Sequence, residues 1–178
     1  MDKYRRSIRL KNHDYSRVGK YFITICTKNR ECLFGDVVNG EVVLNDIGNT
    51  INTQWNKLLN RFNNIQLDEY VVMPNHFHGI IIIKSNPIVG VSFMKPDIKM
   101  EIIKSNRHMG LMNQTPTLGQ IIRYFKSKCT YEIHKNKLNV KLWQRNYYEH
   151  IIRTENDLNK IRKYIKTNSK MWEMDMHY

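Results

Sequence analysis

Cysteine, proline and acidic residues are scarce in this sequence, and it has no long apolar run. The three cysteines among 178 residues, Cys26, Cys32 and Cys129, are an odd number without metal-motif spacing. That argues against a disulfide framework and for a reducing compartment, the cytoplasm, with the thiols acting as small core groups. No stretch approaches the roughly 18 apolar residues of a membrane-spanning helix, and no signal-peptide pattern is recognisable. Acidic residues number 16 against 29 Lys and Arg, a formal charge of +13. So large an excess points to a polyanionic partner, and without a membrane segment that partner is nucleic acid rather than lipid. Of the four prolines, one is Pro74 and three fall between 84 and 116, so most of the chain is free of helix and strand breakers.

The length suits one domain, 1–178. A basic arm occupies about 1–18, and about 84–116 reads as a long variable loop with little periodicity. Within "KYFITICTK", Tyr21, Ile23 and Ile25 alternate with Phe22 and Thr24, as in a strand. Two short apolar runs flank Asn39-Gly40, a hairpin signal. From Asp46, read as a cap, Ile47, Ile51, Trp55, Leu58 and Leu59 recur at helical spacing. "QLDEYVVM" and "HFHGIIII" read as strands on either side of Pro74-Asn75. Thr117 caps a helix with Leu118, Ile121, Ile122, Phe125 and Cys129 on its apolar face and Arg123, Lys126, Lys128 and Lys135 on the other. "KLWQRNYYEHIIR" is extended, and Thr154 with Asp157 opens a last helix with a core stripe of Leu158, Ile161 and Ile165. This order predicts an α+β fold, a ferredoxin-like antiparallel sheet with helices packed on one face.

The chemistry begins at "VVMPNHFHGIIII". Side chains alternate along a strand, so His76 and His78 share a face and Phe77 takes the other. Two imidazoles on a rigid strand can hold one divalent metal and leave positions open for substrate oxygens, or can simply hydrogen-bond locally. On the last helix Tyr164 and Asn168 lie one turn apart. A tyrosine hydroxyl can attack a phosphodiester covalently once its proton is removed, conserving the bond for rejoining. Tyr147 and Tyr148 are rival tyrosines better suited to packing or base stacking, and Glu149 and His150 read as structural.

Six segments, "RRSIRL", "YFITICTKNRECLFG", "LDEYVVMPNHFHGIIII", "LGQIIRYFKS", "LWQRNYYEHIIR" and "LNKIRKYI", resemble in order those of the REP-associated tyrosine transposases, within the HUH single-tyrosine transposases. That resemblance implies a bacterial, nucleoid-associated enzyme that cleaves single-stranded DNA bearing hairpins or palindromic repeats through a 5′-phosphotyrosine and rejoins it. It also implies Tyr164 as nucleophile, and His76, His78 and Asn168 as ligands of Mg²⁺ or Mn²⁺. Many relatives carry Asn-Pro where this chain has Asn168-Ser169. Arg5, Arg6, Arg9, Lys11, Arg123 and Lys126 are candidates for DNA-backbone contact. Monomer and homodimer both remain open. A non-catalytic nucleic-acid-binding module and a phosphodiesterase using water are the competing function classes.

Overall fold

The computed structural model describes residues 14–85, 116–136, 138 and 140–172. The expected arm up to residue 13, and nearly all of the expected 84–116 loop, lie outside those residues.

Strand β1 (Gly19–Cys26) is followed by a hairpin of β2 (Gly35–Val38) and β3 (Glu41–Leu44). Its turn residues Asn39 (φ 55) and Gly40 (φ 77) are both left-handed, as a type I′ turn requires. Helix α1 (Asp46–Asn56) begins one residue earlier in its cap than the sequence suggests. The side chain of Asn45, not of Asp46, accepts from the Gly48 N–H, and Asp46 adds its charge to the first turn. The expected continuous helix is interrupted at Lys57, and a single turn, α2 (Leu58–Arg61), follows.

Strands β4 (Ile65–Met73) and β5 (His76–Ile83) are joined through Pro74 and Asn75. Helix α3 (Leu118–Lys135) starts with a complete capping box between Thr117 and Gln120. The extended segment after it forms a strand over only five residues, β6 (Tyr148–Ile152), although Trp143 also bridges Thr27. Helix α4 (Glu155–Thr167) is capped by Thr154 and runs into a 3₁₀ turn, Asn168–Met171.

The four long strands form one antiparallel sheet in the order β4-β5-β1-β6. With α1 and α3 as the crossovers, this is the ferredoxin-like βαββαβ arrangement within an α+β fold. Helices α1 and α3 cover one face, where Tyr21, Ile23, Ile25, Phe77 and Ile81 meet Ile51, Trp55, Ile121, Ile122 and Phe125. The final helix adds a cover on the opposite face, where Ile80 and Ile152 meet Leu158 and Ile165, with Phe22, Val71 and Ile161 around them.

The β5 sequence builds both layers at once. Phe77 is fully buried towards the two-helix face, with its ring 4.6 Å from Trp55 and 5.4 Å from Phe125. His76 and His78, one residue to either side, emerge on the α4 face. Gly79 closes the motif because a Cβ there would meet Trp55 at 2.7 Å. The indole lies where any side chain would stand.

Candidate active site

His78 is almost fully buried, and both of its ring nitrogens are engaged. Nδ1 lies 2.8 Å from Thr24 Oγ1 on β1, because the β1–β5 register places Thr24 opposite His78. Nε2 lies 3.2 Å from the Tyr164 hydroxyl on α4. The Ile23 backbone also favours a proton on the ring. The Thr24 and Tyr164 hydroxyls can each donate or accept, and the Ile23 backbone, on β1, favours the tautomer with Nδ1–H towards β1 and Nε2 accepting from Tyr164. The ring is further held by Phe22, stacked on it at 5.2 Å and 27°.

His76 sits at the start of β5 with its ring centroid 4.5 Å from that of His78. Its Nδ1 is 2.6 Å from Asn75 Oδ1. An amide oxygen only accepts, so Nδ1 carries the proton and the lone pair is on Nε2. Trp172, beyond α4, stacks on its other side at 6.1 Å.

Both imidazoles are held neutral. His76 is lowered to about 4, chiefly by burial and then by the Arg30 charge, against a small opposing effect of Asn168. His78 is lowered to about 3 by burial and by the neighbouring His76, partly offset by Ile23. Two buried rings that resist protonation keep their lone pairs for a ligand or a donor.

Asn168 completes the group. It follows α4 directly, one turn after Tyr164, and its side chain is 1% exposed. Its amide faces His76 closely enough to influence it, yet without hydrogen-bond geometry, and both Nδ2 and Oδ1 are buried without a hydrogen-bond partner. An orphaned buried amide is costly, and its position beside the His76 imidazole suits an oxygen donor for a cation. Among the described residues, no three His, Cys, Asp or Glu side chains gather at one point. A cation here would therefore rest on the two imidazoles, the amide and substrate or solvent oxygens.

Tyr164 is 44% exposed, although its hydroxyl is part-buried where it meets His78. Its ring meets Phe22 edge-on at 6.1 Å and His78 at 5.3 Å. Helix α4 is tied down by charge. Arg162 donates from Nε to Asp68 Oδ1 (3.0 Å) and from its terminal nitrogen to Oδ2 (2.7 Å), while Lys166 pairs with Glu69 and Lys20 with Glu155. Asp68 and Glu69 occupy an irregularity in the β4–β5 pairing, between Leu67 and Tyr70, that presents both acids to the helix.

The structure thus brings together His76, His78, Tyr164 and Asn168 from β5, α4 and the turn after it. The basic candidates lie elsewhere. Arg5, Arg6, Arg9 and Lys11 are outside the described residues. Arg123 is exposed on α3, across the sheet from the histidines. Lys126 has structural partners: its ammonium donates to the Gln144 and Asn146 carbonyls at 2.7 and 2.9 Å and lies over the Trp143 ring. Tyr147 is in the core, whereas Tyr148 is exposed on the edge strand β6. His150 pairs with Asp157 at 2.9 Å. Sequence reasoning missed Thr24, Asn75, Phe22 and Trp172. Asn75 directly precedes His76 and reads from sequence only as part of the turn, whereas strand register brings in Thr24 and Phe22 and the return of the chain after α4 brings in Trp172.

An uncharacterized protein of Haemophilus influenzae is 41% identical over 175 residues, which span 98% of this chain and 93% of that protein. The chain belongs to that protein's family. No family model matches the sequence. Among solved structures, the fold is similar to a REP-associated tyrosine transposase bound to a REP hairpin, with a TM-score of 0.53 and 20% identity. That similarity covers 94% of this chain and 72% of the other, and what it establishes is the shared fold. No helix among the described residues is long and apolar enough to cross a membrane.

Proposed function

We propose that this protein is a metal-dependent transposase that nicks single-stranded DNA near hairpins and transfers the strand. Tyr164 is the nucleophile, and His76, His78 and Asn168 hold Mg²⁺ or Mn²⁺. The single observation that carries the reading is the placement of the Tyr164 hydroxyl 3.2 Å from His78 Nε2, on an exposed helix face beside the histidine pair. A tyrosine buried elsewhere, or a lone histidine pair, would not support it. The fold shared with a hairpin-bound transposase supports the substrate class.

In this scheme Tyr164 Oη forms a bond to phosphorus as the bond from phosphorus to the 3′-oxygen breaks. The phenolic proton is lost to solvent, and the 3′-oxygen takes one up. A 5′-phosphotyrosine and a free 3′-hydroxyl result, and a second 3′-hydroxyl reverses the step. When bound, the cation supplies polarisation of the phosphoryl oxygens. Imidazole nitrogens with an amide oxygen suit Mn²⁺ better than Mg²⁺, and either is compatible with the open positions. Phe22 and Trp172 fix the two rings, and α4 delivers the hydroxyl from the solvent side. The basic arm of about 1–18 and Arg123 extend DNA contact beyond the site, within a single domain that acts as a monomer or a homodimer in the bacterial cytoplasm.

The test is a denaturing gel with labelled single-stranded hairpins from the DNA flanking the gene, run with Mn²⁺ and with EDTA. The expected product is a band of protein plus DNA fragment, absent with EDTA, in Tyr164→Phe and in His76→Ala. Cleavage without that band would instead mean that water is the nucleophile.

A further inference from the structure

We propose that the hydrogen bond between Tyr164 and His78 is a latch that competes with cation binding, so that filling the site frees the nucleophile. The inference rests on the metal reading above and concerns how the site is regulated.

A neutral imidazole has a single lone pair. On His78 both ring nitrogens are engaged, Nδ1 against Thr24 and Nε2 against the Tyr164 hydroxyl, so Nε2 has no second lone pair to offer. The ring cannot offer a second acceptor by turning over. A flip would set Cδ2 against Thr24 and Cε1 against Tyr164, losing both contacts, and Phe22 is stacked on the ring in its present position. His78 Nε2 therefore serves either the Tyr164 hydroxyl or a cation, never both. His76 is not held by Tyr164: its Nδ1–H is bound to Asn75, and the Asn168 amide lies near its ring.

Geometry also says which partner gives way. His78 is fixed in the sheet, and Asn168 is buried, whereas Tyr164 is the exposed member of the group. Release in this scheme is a turn of the Tyr164 side chain away from His78. In the latched state the hydroxyl is held by an acceptor and points into the protein. In the released state it is available to a phosphate bound on the solvent side.

Linkage makes the competition measurable without any turnover. Removing the hydroxyl removes the competitor, so Tyr164→Phe is expected to bind Mn²⁺ more tightly than the wild type. The gain is about three- to tenfold in Kd, the range of a typical net hydrogen bond. His76→Ala is expected to bind more weakly than both. The experiment is a calorimetric titration of Mn²⁺ into all three proteins without DNA, with thermal melts to show that each is folded. Tighter binding by Tyr164→Phe alongside weaker binding by His76→Ala supports the latch. Equal or weaker binding by Tyr164→Phe overturns it and leaves the metal site standing. Absence of binding in the wild type and in Tyr164→Phe removes the metal reading and the latch together.

Discussion

Phe77 stands between the two histidines and anchors both. Its ring fills the core against Trp55 and Phe125, so Phe77→Ala is expected to cost about 3–5 kcal/mol, read from the shift of a denaturant midpoint. Gly79 is equally constrained for the opposite reason. A methyl group there meets the Trp55 indole and the Phe77 ring, and Gly79→Ala is expected to lose about 1–3 kcal/mol through overpacking. Tyr164 contrasts with these. It is exposed, and Tyr164→Phe is expected to cost only about 0.5–1.5 kcal/mol, the net worth of its hydrogen bond to His78, while abolishing the covalent adduct. The alternation of His76, Phe77 and His78 was legible in the sequence because period-two geometry holds in any strand. The tautomers were not, because Thr24 lies 54 residues from His78 and meets it only through strand register.

Helix α4 shows how the proposed nucleophile is carried by an element with a modest apolar face. Its core contacts are chiefly Leu158 and Ile165, and much of its attachment is ionic. The Asp68 carboxyl is held below the usual carboxylate range, first by the hydrogen bonds from Arg162 against the opposing effect of burial, and further by the Glu69 N–H and by Lys20. A carboxyl lowered in the native state contributes fully above its unfolded pKa of about 4, and that contribution is lost as pH falls through the lower native value. Asp68→Asn is therefore expected to be less stable near pH 7 but to show a flatter loss on acidification below about pH 4. The Arg162 side chain is 34% exposed, so the difference at neutral pH is about 1 kcal/mol or less. Urea midpoints across that pH range measure both effects. Thr154 as the cap and the stripe of Leu158, Ile161 and Ile165 could be read from sequence. The acids that hold the helix could not, because Asp68 and Glu69 reach it only through the irregular pairing of β4 with β5.

At the scale of the molecule, a charge of +13 is distributed around a sheet whose two faces do different work. The histidines and Tyr164 occupy one face, and Arg123 lies on the helical layer of the other. Hairpin binding is expected to weaken by more than about tenfold between about 50 and 200 mM salt, as counterion release requires of several phosphate contacts. A filter-binding series measures the slope. Because Arg123 and the histidines are on opposite sides, Arg123→Ala is expected to leave cleavage of a short oligonucleotide unchanged. Any effect should appear only with DNA long enough to pass around the sheet.

The sequence by itself determined the class of fold, the positions of most elements, the shared face of His76 and His78, and the one-turn spacing of Tyr164 and Asn168. These follow from periodicity, capping and turn chemistry, which act over a few residues and need no partner. Only the tertiary structure decided that α4 lies on the histidine face, that its hydroxyl reaches Nε2 of His78, and that Asn168 is buried without a partner. It likewise assigned Lys126 to loop carbonyls. Each depends on which distant strand pairs with which and on which face a helix covers, and these contacts are selected by the packing of the whole domain.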